Sequence, residues 1–176
     1  MSVDVVGGAA GLAPAARLLA SWWSPPTADE IARWELPDEL RAVFERTTPE
    51  ALREEYERLF VGPGRTPCPP YESVWRAGQA RRDQGRLMAS CAADVARLYA
   101  SLGLRVRAAA HELPDHLVIE LEALAYALDR DDAGAAAALA RDHLAAWVPA
   151  FCTAVAAETT EPFYAALASW TAALAA

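Results

Sequence analysis

His111 to Leu128 reads HELPDHLVIELEALAYAL. Pro114 has a fixed φ and no N–H, which suits the first turn of a helix and little else within one. Beyond it Leu117, Leu121, Leu124 and Leu128 recur at helical spacing and form one apolar face, so the stretch reads as a helix opened by Pro114. Downstream, Asp132 leads into a second helix with Leu139, Leu144 and Trp147 facing inward. Pro149 is expected to kink or break it. Pro162, a natural first-turn residue, starts a last helix to about Leu174. Upstream, a long helix is expected over about Ala77–Leu102, closed by Gly103, and Leu104–Ala110 is the one candidate for a short extended stretch.

The N-terminal half continues the pattern. A first helix covers about Ala9–Trp23 and stops at Ser24-Pro25-Pro26. Thr27 followed by Glu30 is a capping box for a short helix through about Trp34, and Pro37 occupies the first turn of another over Asp38–Arg46. Thr48-Pro49 opens the next, in which Leu52, Tyr56, Leu59 and Phe60 share a face. Val61–Tyr71, VGPGRTPCPPY, has too many Gly and Pro residues for helix or ladder and reads as an ordered irregular loop. Alanine runs at 9–10, 108–110 and 135–138 favour helix, and no set of Val/Ile/Thr-rich alternating runs opposes them. The expectation is all-α: one domain over residues 1–176, a compact bundle of roughly seven to nine helices, with 54% hydrophobic residues to build its core.

A net charge of −8 argues against nucleic acid and anionic membrane surfaces, and suits a basic peptide partner. Cys68, Cys91 and Cys152 are too few and too scattered for a disulfide framework or a paired-cysteine metal site, as expected in a reducing cytosol. Asp4 and Arg17 spoil any export signal at the N-terminus, and no uncharged apolar run reaches the roughly 20 residues of a membrane span. A cytoplasmic location without membrane insertion is the expectation.

The most specific stretch is Tyr56–Trp75, YERLFVGPGRTPCPPYESVW. With HELPDHLVIELEAL at His111–Leu124, and with HL, WVPAF and PFYAAL between His143 and Leu167, it resembles the TorD/DmsD family of redox-enzyme chaperones. The likeness lies in an LF-x-GP element before PPYES, an E-x-P-D-H-x-x-x-E-L block and the C-terminal pattern, in the family's order. Trp75 stands where the family usually has Tyr, Ala123-Leu124 replaces a common Phe-Met, and the first fifty residues match no motif. The resemblance implies a TorD-like helical bundle that is no enzyme. It implies binding to the twin-arginine leader of a molybdopterin oxidoreductase precursor, delaying export until the client's molybdenum cofactor is inserted. The chaperone itself needs no cofactor, although weak guanine-nucleotide binding has been proposed for some members; the family includes monomers and domain-swapped dimers.

The residues suit that task on their own chemistry. Two guanidinium groups beside an apolar stretch call for carboxylates and an apolar wall. Glu72, Glu112 and Asp115 are the carboxylates, and Leu59, Phe60, Tyr71 and Trp75 the wall; Tyr56, Pro70, Ser73, Pro114, His116 and Glu120 complete the candidate site. Pro69-Pro70 lowers the ordering entropy lost on binding. Each residue also has a structural reading. Leu59 and Phe60 suit a core, Glu72 and Asp115 suit helix N-termini, and His116 suits a partly buried imidazole with one hydrogen bond. Glu120, one turn beyond His116, either orients that imidazole or simply pairs with it.

Enzymatic readings are weaker. In HELPDH the position four after His111 is Asp115, and Pro114 intervenes, so the zincin pattern fails. No histidine has Glu or Asp three residues before it, as a di-iron bundle needs. GPG in the loop lacks phosphate-loop spacing and the chain has no lysine, so a guanine-nucleotide switch would need other groups. Arg81-Arg82, mid-chain, reads as a solvated helix face. A third alternative is maturation of a molybdoenzyme that is not exported.

Overall fold

The computed structural model describes residues 9–62, 66–76, 90–107 and 112–174. Its helices are α1 (Ala9–Trp22), α2 (Ala28–Ile31), α3 (Asp38–Phe44), α4 (Pro49–Tyr56), α5 (Glu72–Trp75), α6 (Ser90–Ser101), α7 (Leu117–Asp129), α8 (Ala133–Ala137), α9 (Ala145–Glu158) and α10 (Pro162–Leu174). A π-helical segment, Glu57–Val61, extends α4, and a second, Ala138–Leu144, joins α8 to α9. Counting joined stretches once gives nine helices among the described residues, and the all-α expectation holds.

Local chemistry sets the helix ends. The Thr27 and Thr48 hydroxyls accept from Glu30 N and Ala51 N, both at 3.2 Å. Gly103, at φ +73°, closes α6: its N–H donates to Ala100 O and that of Leu104 to Tyr99 O, a Schellman ending. Gly62, at φ +91°, ends the first π segment by donating to Glu57 O at 2.8 Å. The capping box at Thr27 is one-sided, because the Glu30 carboxylate accepts from Ser21 and Arg33 instead.

α7 joins two cores. Leu117 and Leu121 enter the larger, where Leu40, Leu52, Leu59, Trp147, Phe151, Phe163 and Tyr164 are fully buried. Ala123 and Ala127 face the smaller, with Val95, Tyr99 and Leu139. Small side chains there let α7 and α8 approach closely.

Four expectations need correction. α7 starts at Leu117 rather than at Pro114, because the backbone before it is engaged elsewhere, as described below. α2 ends at Ile31, short of Trp34. Residues 104–107 are in neither helix nor strand. The helix is not broken at Pro149: an interior proline costs about 3 kcal/mol, but burying Trp147, Val148, Phe151 and Cys152 returns about 1.5–3 kcal/mol for each large side chain. Residues 77–89, with Arg81-Arg82, lie outside the described residues, as do 63–65 of the loop and 108–111.

Candidate functional site

Pro70-Tyr71-Glu72 and Asp115-His116-Leu117 lie side by side. An isolated antiparallel bridge pairs Tyr71 with His116. Glu72 N donates to Asp115 O, and Leu117 N to Pro70 O, each at 2.9 Å. Pro70 before Tyr71 and Pro114 after Leu113 restrict both segments, and Tyr71 and His116 are extended, so two loop segments 45 residues apart form one corner. Asp115, fully buried, then reaches across: its Oδ2 accepts from Ser73 N at 3.0 Å and caps α5, which has no side-chain cap of its own. Its Oδ1 has no hydrogen-bond partner among the described residues.

In front of this corner lies a pocket of about 460 Å³. Tyr56, Phe60 and Val61 form one wall, Pro69, Pro70, Tyr71 and Val74 another, and Glu112 and His116 the polar edge. Tyr71 Oη donates to Glu112 Oε2 at 2.7 Å. Burial, reinforced by Glu112, raises the Tyr71 phenol above its ordinary range, so it stays a donor. The Tyr71 and His116 rings meet edge to face with centroids 5.1 Å apart. His116 caps α7, its Nδ1 accepting from Val118 N at 3.2 Å. Burial lowers its pKa against the opposing pull of Glu112 and Asp115. Val61, at the rim, is 62% exposed.

Behind the corner is a buried polar cluster. Glu72, fully buried, binds Arg76 through Oε1 and His143 Nδ1 through Oε2 at 2.8 Å, and Arg76 also donates to Asp142 O at 2.6 Å. Glu120, also fully buried, accepts from Trp147 Nε1 at 3.1 Å. Burial first, then the Glu72 charge, pushes its carboxyl well above the usual carboxylate range; the Trp147 bond pulls the other way and Asp115 adds to the rise. Tyr99 Oη closes the rear by donating to Pro114 O at 2.9 Å. Among the described residues no group of His, Cys, Asp and Glu side chains is placed to hold a metal ion.

Six of the thirteen candidates line the pocket: Tyr56, Phe60, Pro70, Tyr71, Glu112 and His116. The others support it. Leu59 and Ser73 are fully buried. Trp75 donates to Pro69 O at 2.6 Å and packs edge-on to Phe151. Glu72 does not cap α5 with its carboxylate, which Arg76 and His143 occupy, and Glu120 does not orient His116, whose Nδ1 serves Val118. Val61, Thr66 and Val74 line the pocket unforeseen; Val61, between the LF anchors and the Gly/Pro loop, had the position to suggest it. His143 and Arg76 carried no sequence signal of their inward role.

A structure from Archaeoglobus fulgidus, described as a candidate redox enzyme maturation protein, superposes with a TM-score of 0.68 over 97% of this chain and 96% of that one, at 22% identity. That likeness shows a shared fold. No curated protein sequence matches. The family model described as nitrate reductase delta subunit matches residues 28–153. It spans most of the chain and takes in both halves of the Tyr71–His116 corner, so this chain belongs to the nitrate reductase delta subunit family of TorD-like chaperones.

Proposed function

We propose that this protein is a maturation chaperone for a molybdopterin-containing oxidoreductase, and that the Tyr71–His116 pocket receives the arginine-bearing, apolar leader of the client precursor in the cytoplasm before export. One observation carries the reading: the bridge at Tyr71 and His116 sets aromatic and apolar walls beside an exposed carboxylate in a single depression. Glu112 uses Oε2 for the Tyr71 hydroxyl, and Oε1 remains for a guanidinium. Tyr56, Phe60, Val61 and Pro69 offer the surface along which the apolar residues after the arginines lie. The corner is bonded through backbone and buried side chains, so little ordering entropy is lost on binding. The role is binding, not turnover.

Calorimetry with a synthetic twin-arginine leader tests this. Glu112→Gln should weaken binding about fivefold, and more at low salt, because the lost contact is an exposed charge pair. A leader that binds equally well to the wild type and to both Glu112→Gln and Phe60→Ala would place the leader elsewhere.

A further inference from the structure

A second concavity, of about 290 Å³, opens between α1, α7, α9, α10 and the π segment leading into α9. Its wall is aliphatic, with Leu19, Leu121, Leu124 and Val148 among the lining side chains. The one uncharged polar lining group is already satisfied: Thr171 Oγ1 accepts from Trp23 Nε1 at 2.9 Å and donates to Leu167 O at 2.8 Å. Among the described residues Arg141 is the one charged residue of the lining; it is exposed and makes no side-chain hydrogen bond or ion pair with any of them. Leu12, 41% exposed, sits on the rim, and it and Val61 are the two large exposed hydrophobic residues among those described. An aliphatic hollow with one cation that is unpaired among the described residues at its edge is unsuited to a polar ligand, a metal ion or a basic leader.

We infer that this cavity binds a single-chain aliphatic carboxylate, its chain among the leucines of α1 and α7 and its carboxylate on the Arg141 guanidinium. At about 30 Å³ for a group the size of a water molecule, the space accepts a chain of roughly ten carbons. A compact hollow walled by four helices and a π segment suits a small ligand better than a long groove-bound helix, and the guanidinium selects the anionic head. The site is separate from the leader pocket, so either assignment can fail without the other.

The test is calorimetric titration of the full chain with decanoate below its micellar concentration, beside decanol, decyltrimethylammonium and a leucine-rich amphipathic helical peptide. Saturable one-to-one decanoate binding is expected, with the cationic amphiphile bound at least tenfold more weakly. Arg141→Gln should weaken decanoate about fivefold and leave decanol unchanged. Ala145→Phe, which fills the mouth from an exposed position, should abolish both. Unchanged urea unfolding in each variant confirms an intact fold. No saturable decanoate binding, binding indifferent to Ala145→Phe, equal binding of the cationic amphiphile, or displacement of decanoate by lower concentrations of the peptide would each overturn the assignment; the last would make the cavity a peptide groove.

Discussion

The two concavities are built alike and finished differently. Each takes part of its wall from a π segment, Glu57–Val61 in one and Ala138–Leu144 in the other, and each has one exposed aliphatic residue at its rim, Val61 or Leu12. A π turn widens the helix and displaces side chains from the usual face, which leaves space beside it. Behind the leader pocket stand three fully buried carboxyl groups, Glu72, Asp115 and Glu120; among the described residues the other hollow is lined by aliphatic side chains, the satisfied Thr171 hydroxyl and Arg141. The polar backing holds two loops in register, whereas an aliphatic wall needs nothing beyond packed helices.

The largest way to break that contrast is to remove the backing. Glu72→Ala leaves the buried His143 and the part-buried Arg76 without their shared acceptor and should cost about 2–4 kcal/mol in urea unfolding. A cost below about 1 kcal/mol would mean that the cluster does not hold the corner.

Next come two carboxyl groups with opposite pH signatures. Burial raises Glu55, but hydrogen bonds from Arg58, Thr160 and Thr159 outweigh it and leave the carboxyl at about 2. A carboxyl depressed in the folded state adds stability that is present above its unfolded value near 4.5 and lost as pH falls toward 2. Glu55→Gln should therefore cost up to about 3 kcal/mol at pH 7 and flatten the acid limb of the stability curve. An unchanged acid limb would remove Glu55 as the clamp between α4 and the α9–α10 turn.

Glu120 has the reverse sign. Its carboxyl is raised on folding, so its contribution is complete below the unfolded carboxylate pKa and declines as pH rises toward the folded value. Glu120→Gln keeps an acceptor for Trp147 and removes the titration. Near pH 4 the variant should match the wild type within about 1 kcal/mol, and above neutrality it should be the more stable. A parallel offset at every pH would show that Glu120 does not titrate against Glu72.

Much of the fold was legible because helix ends are local chemistry: Thr27, Thr48, Gly103 and Pro162 each end or start a helix where residue type says they should. The adjacency of PPYES and PDH was legible only as two unusual blocks, and the backbone bridge supplies its cause. The π segments were not legible, because a widened turn keeps helical composition. Nor was the inward aim of Glu72, Glu120 and His143, which tertiary partners decide. Pro149 failed as a breaker for a related reason, since the burial around it outweighs a local penalty. Glu120 shares a helical face with His116, but periodicity says nothing of Trp147 on another helix.

The smallest expected effect on stability is the sharpest test of the two rims. Val61 and Leu12 are exposed, so Val61→Asp and Leu12→Asp should each shift unfolding by less than about 0.5 kcal/mol. Their binding consequences should separate. Val61→Asp puts a polar side chain on the wall along which a leader's apolar residues lie, and should weaken leader binding by about three- to tenfold. The new carboxylate also attracts the arginines, so doubling the salt concentration should enlarge the deficit. Leu12→Asp, at the other cavity, should leave leader binding within experimental error. If both weaken the leader equally, one continuous surface serves one peptide, and the distinction between a polar-backed and an aliphatic cavity has no functional counterpart.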